Sequence, residues 1–180
     1  MKKLLVLLFS ILISFNSYGA ELNTLFGITL YDNAEKYVSS NYIDSNKWKN
    51  TSTTDGYFDV YVTDEITEKN KYFSEYWMTI DINNIIHSIK SLEKYAKLDR
   101  CLAVLETLSS ILEERYETDF EYWDPTFPTS KKFEHYFYTS SDNYFGIQCY
   151  EGDDSTIGMA ITLDSKDYVA ATFEFYEAGL

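Results

Sequence analysis

Residues 98–117, LDRCLAVLETLSSILEERYE, carry the reading on which the fold depends. Leu98, Cys101, Leu102, Leu105, Leu108, Leu112 and Tyr116 recur at helical spacing, Val104 and Ile111 widen the stripe, and Glu106, Glu113 and Glu114 fall outside it. Apolar residues three and four apart share one side of a 3.6-residue period, so the spacing predicts an amphipathic helix. Such a helix has to bury its stripe against a broad apolar surface, and the flanking sequence supplies one.

Downstream, Phe133–Thr139, Tyr144–Tyr150 and Thr156–Leu163 alternate as strands, joined by turns at Ser140–Asn143 and Glu151–Ser155. Phe145, Ile147 and Cys149 share one face, as do Ile157, Met159, Ile161 and Leu163. A four-residue turn aligns Tyr138 and Tyr136 with Phe145 and Ile147, which sends Phe133, His135 and Phe137 to the opposite side with Gln148 and Tyr150. Asp119–Lys132, which holds both prolines, reads as a loop.

Upstream, Tyr57–Val62 alternates, with Phe58, Val60 and Val62 on one side and Tyr57, Asp59 and Tyr61 on the other. Tyr72–Lys90 reads as a hairpin around Asn83-Asn84, residues that tolerate the positive φ of a tight turn. In that register Ile82 faces Ile85, Ile80 faces His87 and Met78 faces Ile89, while Trp77, Thr79, Asp81 and Ser88 take the other side. Leu25–Leu30 reads as a first strand, Asp32-Asn33-Ala34-Glu35 as a capping box opening a short helix, and Asp44–Gly56 as a polar loop. Within that loop Asn50-Thr51-Ser52 is a glycosylation sequon, relevant to a eukaryotic source.

The last segment satisfies two periods. Val169, Thr172, Phe173 and Tyr176 have helical spacing, whereas Val169, Ala171, Phe173 and Phe175 alternate as a strand. The strand is the preferred reading, with Asp164–Asp167 as its turn. The resulting order is β-α-β-β-β followed by α-β-β-β-β. It predicts an α+β fold: a mostly antiparallel sheet of about seven strands in two meanders, with helices packed on one face. The two helix-plus-meander halves fall at about 21–95 and 96–180 of a single domain.

Met1–Ala20 has the parts of a secretory signal: Lys2 and Lys3, an apolar run from Leu4 to Phe15, then small residues at Ser17, Gly19 and Ala20. Cleavage after residue 19 or 20 fits. The run is short for a membrane span, no second one follows, and no Cys stands near the cleavage point to carry a lipid, so a periplasmic or secreted protein is expected. Cys101 and Cys149 are the two cysteines, without CxxC spacing. In an oxidising compartment they are expected to pair, stapling the long helix to a strand; two free thiols or a metal site are the alternatives.

The formal net charge is −14, and loss of Lys2 and Lys3 with the signal makes the remainder more acidic. A field of that sign repels nucleic acid and anionic lipid surfaces. Aromatics form 18 % of the chain and proline is almost absent, which speaks for a packed domain rather than disorder.

The opening Phe26-Gly27-Ile28-Thr29-Leu30, followed by Asp32-Asn33-Ala34-Glu35, resembles the short-strand-then-capped-helix entry of small secreted helix-plus-meander proteins. Examples are the β-lactamase inhibitor proteins, with two tandem units, and the small outer-membrane assembly lipoproteins, with one. Tyr31 stands where the unit has a glycine after the strand, and the lipid-bearing Cys is missing. The resemblance implies a fold and carries over no site residue.

The chain has no GxSxG, HExxH, Walker or GxGxxG motif and no EF-hand pattern, and no cofactor is expected. Glu151, Asp153 and Asp154 could hold a hard cation, although an acidic turn is ordinarily just solvated. His87 falls on an apolar face, the place of a hydrogen-bonded core histidine. Collecting the side away from the helices gathers Tyr57, Asp59, Tyr61, Trp77, Asp81, Phe133, His135, Phe137 and Tyr150 as candidate binding residues, over a low floor of Gly146, Gly158 and Ala160. Large aromatic patches of this kind mark binding surfaces, with Tyr and Trp as preferred anchors. The expectation is therefore a non-enzymatic binding module for a basic secreted or envelope protein, inhibitor-like in action. Two alternatives stand beside it. One is a glycan-binding or glycan-hydrolysing protein using Asp59, Asp81 and Glu174. The other is a structural or fitness factor with no discrete ligand, its aromatic pairs simply holding the sheet.

Overall fold

In the computed structural model, residues 22–53, 56–66, 69–116, 121–122, 131–139, 143–152 and 155–177 are described, with the backbone alone for 115–116, 121–122 and 131–139. The signal expected over 1–20 lies outside them, as do Asp153 and Asp154. No helix among the described residues is long and apolar enough to cross a membrane.

The amphipathic stripe forms the long helix α2 (Leu98–Tyr116), which buries Cys101, Leu105 and Leu108. Its partner surface is one antiparallel sheet of eight strands. The first half of the chain supplies β3 (Lys47–Lys49), β4 (Phe58–Tyr61), β5 (Glu75–Ile80) and β6 (Ile86–Tyr95). The second supplies β7 (Glu121–Tyr122), β8 (Lys131–Thr139), β9 (Asn143–Glu151) and β10 (Ile157–Ser165). The order β3-β4-β5-β6-β10-β9-β8-β7 joins two four-stranded meanders along β6 and β10. The fold class is α+β.

Register follows the apolar alternation. Met159 pairs with Cys149, Ile161 with Ile147 and Leu163 with Phe145, all on the face that meets α2. The aligned pairs Tyr136↔Ile147 and Tyr138↔Phe145 occur as expected from the turn length. Cys101 and Cys149 form a disulfide with Cα atoms 6.1 Å apart, tying α2 to β9. Ser91, wholly buried on the same face, satisfies its hydroxyl by donating to the Glu75 carbonyl.

The amino-terminal region closes the far end of this core and departs from the sequence reading. Leu25–Leu30 is not one strand but a two-residue ladder, β1 (Thr24–Leu25) with β2 (Ile28–Thr29), turned at Phe26 and Gly27 with φ of 54° and 76°. A positive φ is costly for phenylalanine. Phe26 is held there by edge-on packing against Phe73 and Tyr76, which buries it. The single short helix becomes a 3-10 turn, Ala34–Lys36, capped by the Asn33 side chain, and then α1 (Ser40–Asn46), capped by Ser39. Ser39 is extended, so two caps replace one continuous helix. The loop expected at 44–56 contains the end of α1 and all of β3, and Glu121–Tyr122 pairs with β8 inside the second expected loop.

Two further differences bear on function. The β5–β6 pairing carries a bulge at Thr79/Ile80, so Ile80 pairs with Ile86 rather than His87, and Ile82 is left 74 % exposed at the tip. One extra residue inverts parity beyond a bulge. His87 is thereby moved away from the position opposite Ile80. The last segment is a helix, α3 (Lys166–Glu177), not a strand. It follows β10 directly, and the Ser165 hydroxyl caps it by accepting the Tyr168 N–H at 3.2 Å. Tyr168 and Ala171 are its buried residues, and neither belongs to the core cluster packed against α2. Helices therefore cover both faces: α2 the core face, α3 the other.

Candidate functional site

The face under α3 is built row by row, because residues paired across antiparallel strands point to the same side. One row runs Trp48, Asp59, Thr79, Ser88, Asp164 and Tyr144 through β3, β4, β5, β6, β10 and β9. The next runs Tyr61, Trp77, Lys90, Thr162 and Gly146. The third holds Glu75, Leu92, Ala160 and Gln148. Composition changes between rows. The first is polar from Asp59 to Asp164 between aromatic ends, and the second is aromatic on the β4–β5 side.

α3 lies on the polar row. The Asn50 amide nitrogen is 3.0 Å from each oxygen of Asp59, and Thr79 donates its hydroxyl to the same carboxylate at 2.6 Å. Asn50 also donates to the Tyr168 hydroxyl at 3.3 Å, which joins α3 to β4. The sequon asparagine is thus buried and engaged, a poor glycan acceptor in the folded chain. Ser88 donates to Asp164 at 2.5 Å. Asp164 retains some exposed surface as a residue, yet crowding of its carboxyl raises its pKa, against the opposing effects of the Ser88 hydrogen bond and Lys90. Burial likewise pushes the Tyr168 hydroxyl well above its ordinary value, helped by the charges of Asp164 and Asp59. Tyr57 is raised by burial first and then by Asp167 and Asp81.

His87 sits at the end of this layer, edge-on to Tyr31 and Tyr57, with ring centroids 5.9 and 5.4 Å away. Its Nδ1 is 3.1 Å from Ser165 Oγ and its Nε2 is 3.7 Å from Asp81 Oδ2. Serine, histidine and aspartate thus stand in the sequence of a nucleophile, a base and an orienting acid. The serine is 0 % exposed and its hydroxyl is committed to capping α3, so a substrate carbonyl has no approach to it. The arrangement anchors a helix.

Beyond α3, Tyr61 and Trp77 are half-buried and Trp48 is exposed. Trp77 is edge-on to Trp48 at 5.1 Å and to Tyr61 at 4.7 Å, and Trp48 is 43 % exposed on the sheet-edge strand β3. The Trp77 indole nitrogen is buried with no hydrogen-bond partner among the described residues. Lys90 pairs with Trp77 across the ladder. Further along, the Tyr150 ring lies over Gly158, where a Cβ would fall 2.4 Å from its Cζ.

Of the expected residues, Tyr61 and Trp77 come together in the open cluster, whereas Tyr57 and Asp59 lie under α3. Asp81 belongs to a turn, its Oδ1 accepting the N–H groups of Asn83 and Ile85 at 2.8 and 2.9 Å. Tyr150 covers a glycine. In β8, His135 pairs with Gln148 and Phe137 with Gly146, while Phe133 is the extra residue of a bulge between Lys132 and Glu134; their side chains lie outside the description. Glu174 is exposed on α3, apart from the engaged carboxylates of Asp59 and Asp81. Sequence reading missed Trp48, Asn50 and Asp164. The alternation Lys47-Trp48-Lys49 was the available signal for the first. Among the described residues no three His, Cys, Asp or Glu side chains gather to hold a metal ion.

Comparison of the chain with protein-family models, with curated proteins and with solved structures finds no match.

Proposed function

We propose that this chain is a non-enzymatic binding protein that engages a basic secreted or envelope protein through the open aromatic edge formed by Trp48, Tyr61 and Trp77. The observation that supports the reading is the cluster itself. A half-exposed indole on an edge strand is backed by two further aromatic rings, one of them an indole whose buried N–H has no hydrogen-bond partner among the described residues. Rigid aromatic anchors of this type dominate the affinity of protein interfaces. The acidic chain adds a long-range field that speeds encounter with a basic partner, an effect on association rather than on residence time.

Asp59 and Asp81 are occupied by internal donors, so the local contribution comes from the rings and the acidic contribution from the whole molecule.

The test immobilises the chain with its disulfide intact and measures capture of basic envelope or culture-medium proteins by surface plasmon resonance. Association should slow as salt rises, and Trp48→Ala or Trp77→Ala should accelerate dissociation about 30-fold, the equivalent of about 2 kcal/mol. Exposed glutamates such as Glu114 should tolerate alanine. Capture that ignores both tryptophans and salt refutes the reading. A second reading, glycan binding, rests on the same exposed indole. Oligosaccharide binding that Trp48→Ala abolishes and salt leaves unchanged would select it.

A further inference from the structure

The segment Lys166–Glu177, KDYVAATFEFYE, is an unusual choice for a surface helix. Its valine, threonine and aromatic residues have modest helix propensity, and a helix of this length is marginal by itself in water. Tertiary contact therefore holds it helical, and that contact is thin: Tyr168 and Ala171 are buried, while Phe173 and Tyr176 face outward. What lies beneath is the polar row rather than the apolar core, so the helix can leave without opening the layer between the sheet and α2.

The underside is also rich in acids. Asp164 faces Ser88 and Lys90 from β6, Tyr168 from α3 and Thr162 on its own strand, and pairs with Tyr144 of β9. Asp59 of β4 lies beyond, bound to Thr79 of β5, and Asp167 and Glu174 belong to the helix. His87 of β6 meets Ser165 at the hinge.

We propose that α3 is a detachable cover that opens about Ser165 and, when released, extends the open aromatic edge by Tyr57, Asp59 and Thr79. The covered and open parts are continuous: Asp59 and Tyr61 alternate along β4, and Thr79 and Trp77 along β5. The functional consequence rests on the reading of this face as a binding surface; the opening itself does not.

The direction of its pH response follows from the hinge-side carboxyl. Asp164 is desolvated under the closed cover and binds its proton more tightly there than in the open state. Acid therefore favours closure, and opening increases as pH rises through the closed-state pKa of Asp164.

Amide hydrogen exchange of the complete chain, expressed as protection factors corrected for intrinsic rate, tests this directly. Residues 166–177 should be protected at least about tenfold less than Met159–Leu163 of the adjoining strand, as for a sub-global opening. Their protection should fall with rising pH, and Asp164→Asn should remove that slope. Tyr168→Phe should lower protection of α3 at every pH and leave β10 unchanged. Should Asp164→Asn not fold, Ser88→Ala serves instead: loss of a donor to the carboxylate should shift the slope to higher pH. Equal protection of α3 and β10, or a slope that the Asp164 or Ser88 change leaves in place, overturns the proposal. No partner is present in this measurement, so its failure leaves the binding reading standing. Failure of the tryptophan variants to alter capture leaves the cover standing.

Discussion

Removing the disulfide tests how much of the fold is held by the covalent link between α2 and β9. The perturbation is Cys101→Ala together with Cys149→Ala. A cross-link spanning 48 residues withdraws about 14 cal/mol/K from the unfolded chain, or about 4 kcal/mol at 25 °C in the chain-entropy picture. Both side chains are wholly buried between the helix stripe and the sheet, so trimming them to alanine adds a packing loss of about 1 kcal/mol. Whole domains are stable by only about 5–15 kcal/mol, so the variant should retain the fold with a small margin. The assay is urea unfolding followed by tryptophan fluorescence and near-ultraviolet circular dichroism. With a slope of about 2 kcal/mol/M, the midpoint should fall by about 2 M. Reduced wild-type chain should unfold close to the variant. A midpoint shift below about 0.5 M at unchanged slope would refute the reasoning, because it would mean that the loop ends stay together in the unfolded chain without the bond.

Three other outcomes follow from particular contacts. Gly158→Ala drives a methyl group into the Tyr150 ring and should cost about 1–3 kcal/mol by thermal unfolding; adding Tyr150→Ala should recover part of that loss, and strict additivity of the two would exclude the clash. Ile80→Ala should cost about 2–5 kcal/mol, since Ile80 is fully buried, whereas Ile82→Lys should change stability by less than about 0.5 kcal/mol. Comparable losses at Ile80 and Ile82 would mean that the hairpin pairs without its bulge. The Asp32 carboxyl is held below its usual 3.8 by hydrogen bonds from Lys36 and Tyr37, so its contribution is present above that value and is lost as pH falls through the lower folded-state pKa. Asp32→Asn should flatten the acid limb of the stability profile; an identical acid limb in both proteins would remove Asp32 from it.

The site shows how one residue of register changes chemistry. Without the bulge, His87 would stand opposite Ile80 in the apolar core, and Ile82 would pair near the turn. With it, the imidazole reaches Ser165 and Asp81 and shares the α3 layer with Tyr57. Ser165 meets the imidazole while its hydroxyl also caps α3. A polar cluster with the composition of a catalytic one is in this way consumed in fastening a helix.

What the sequence by itself determined is whatever a local period encodes. The stripe from Leu98 to Tyr116, the alternation of Phe145, Ile147 and Cys149, and the pairing of the two cysteines were all legible. Each side chain there announces the face it needs, and a wrong face would expose a whole row of apolar residues. Tertiary structure decided the elements whose local signals conflict or are silent. Phe26 takes a left-handed conformation because Phe73 and Tyr76 bury its ring, a benefit that no neighbour in sequence reveals. Lys166–Glu177 satisfies both helical and strand periods, and the choice falls to helix because Ser165 caps it and Tyr168 finds Asn50, just past the end of β3 and far away in sequence. That choice turns part of the expected aromatic face into an interior and leaves Trp48, Tyr61 and Trp77 at its edge. Periodicity specifies which way a side chain points, but what comes to lie over it depends on contacts between segments far apart in the chain.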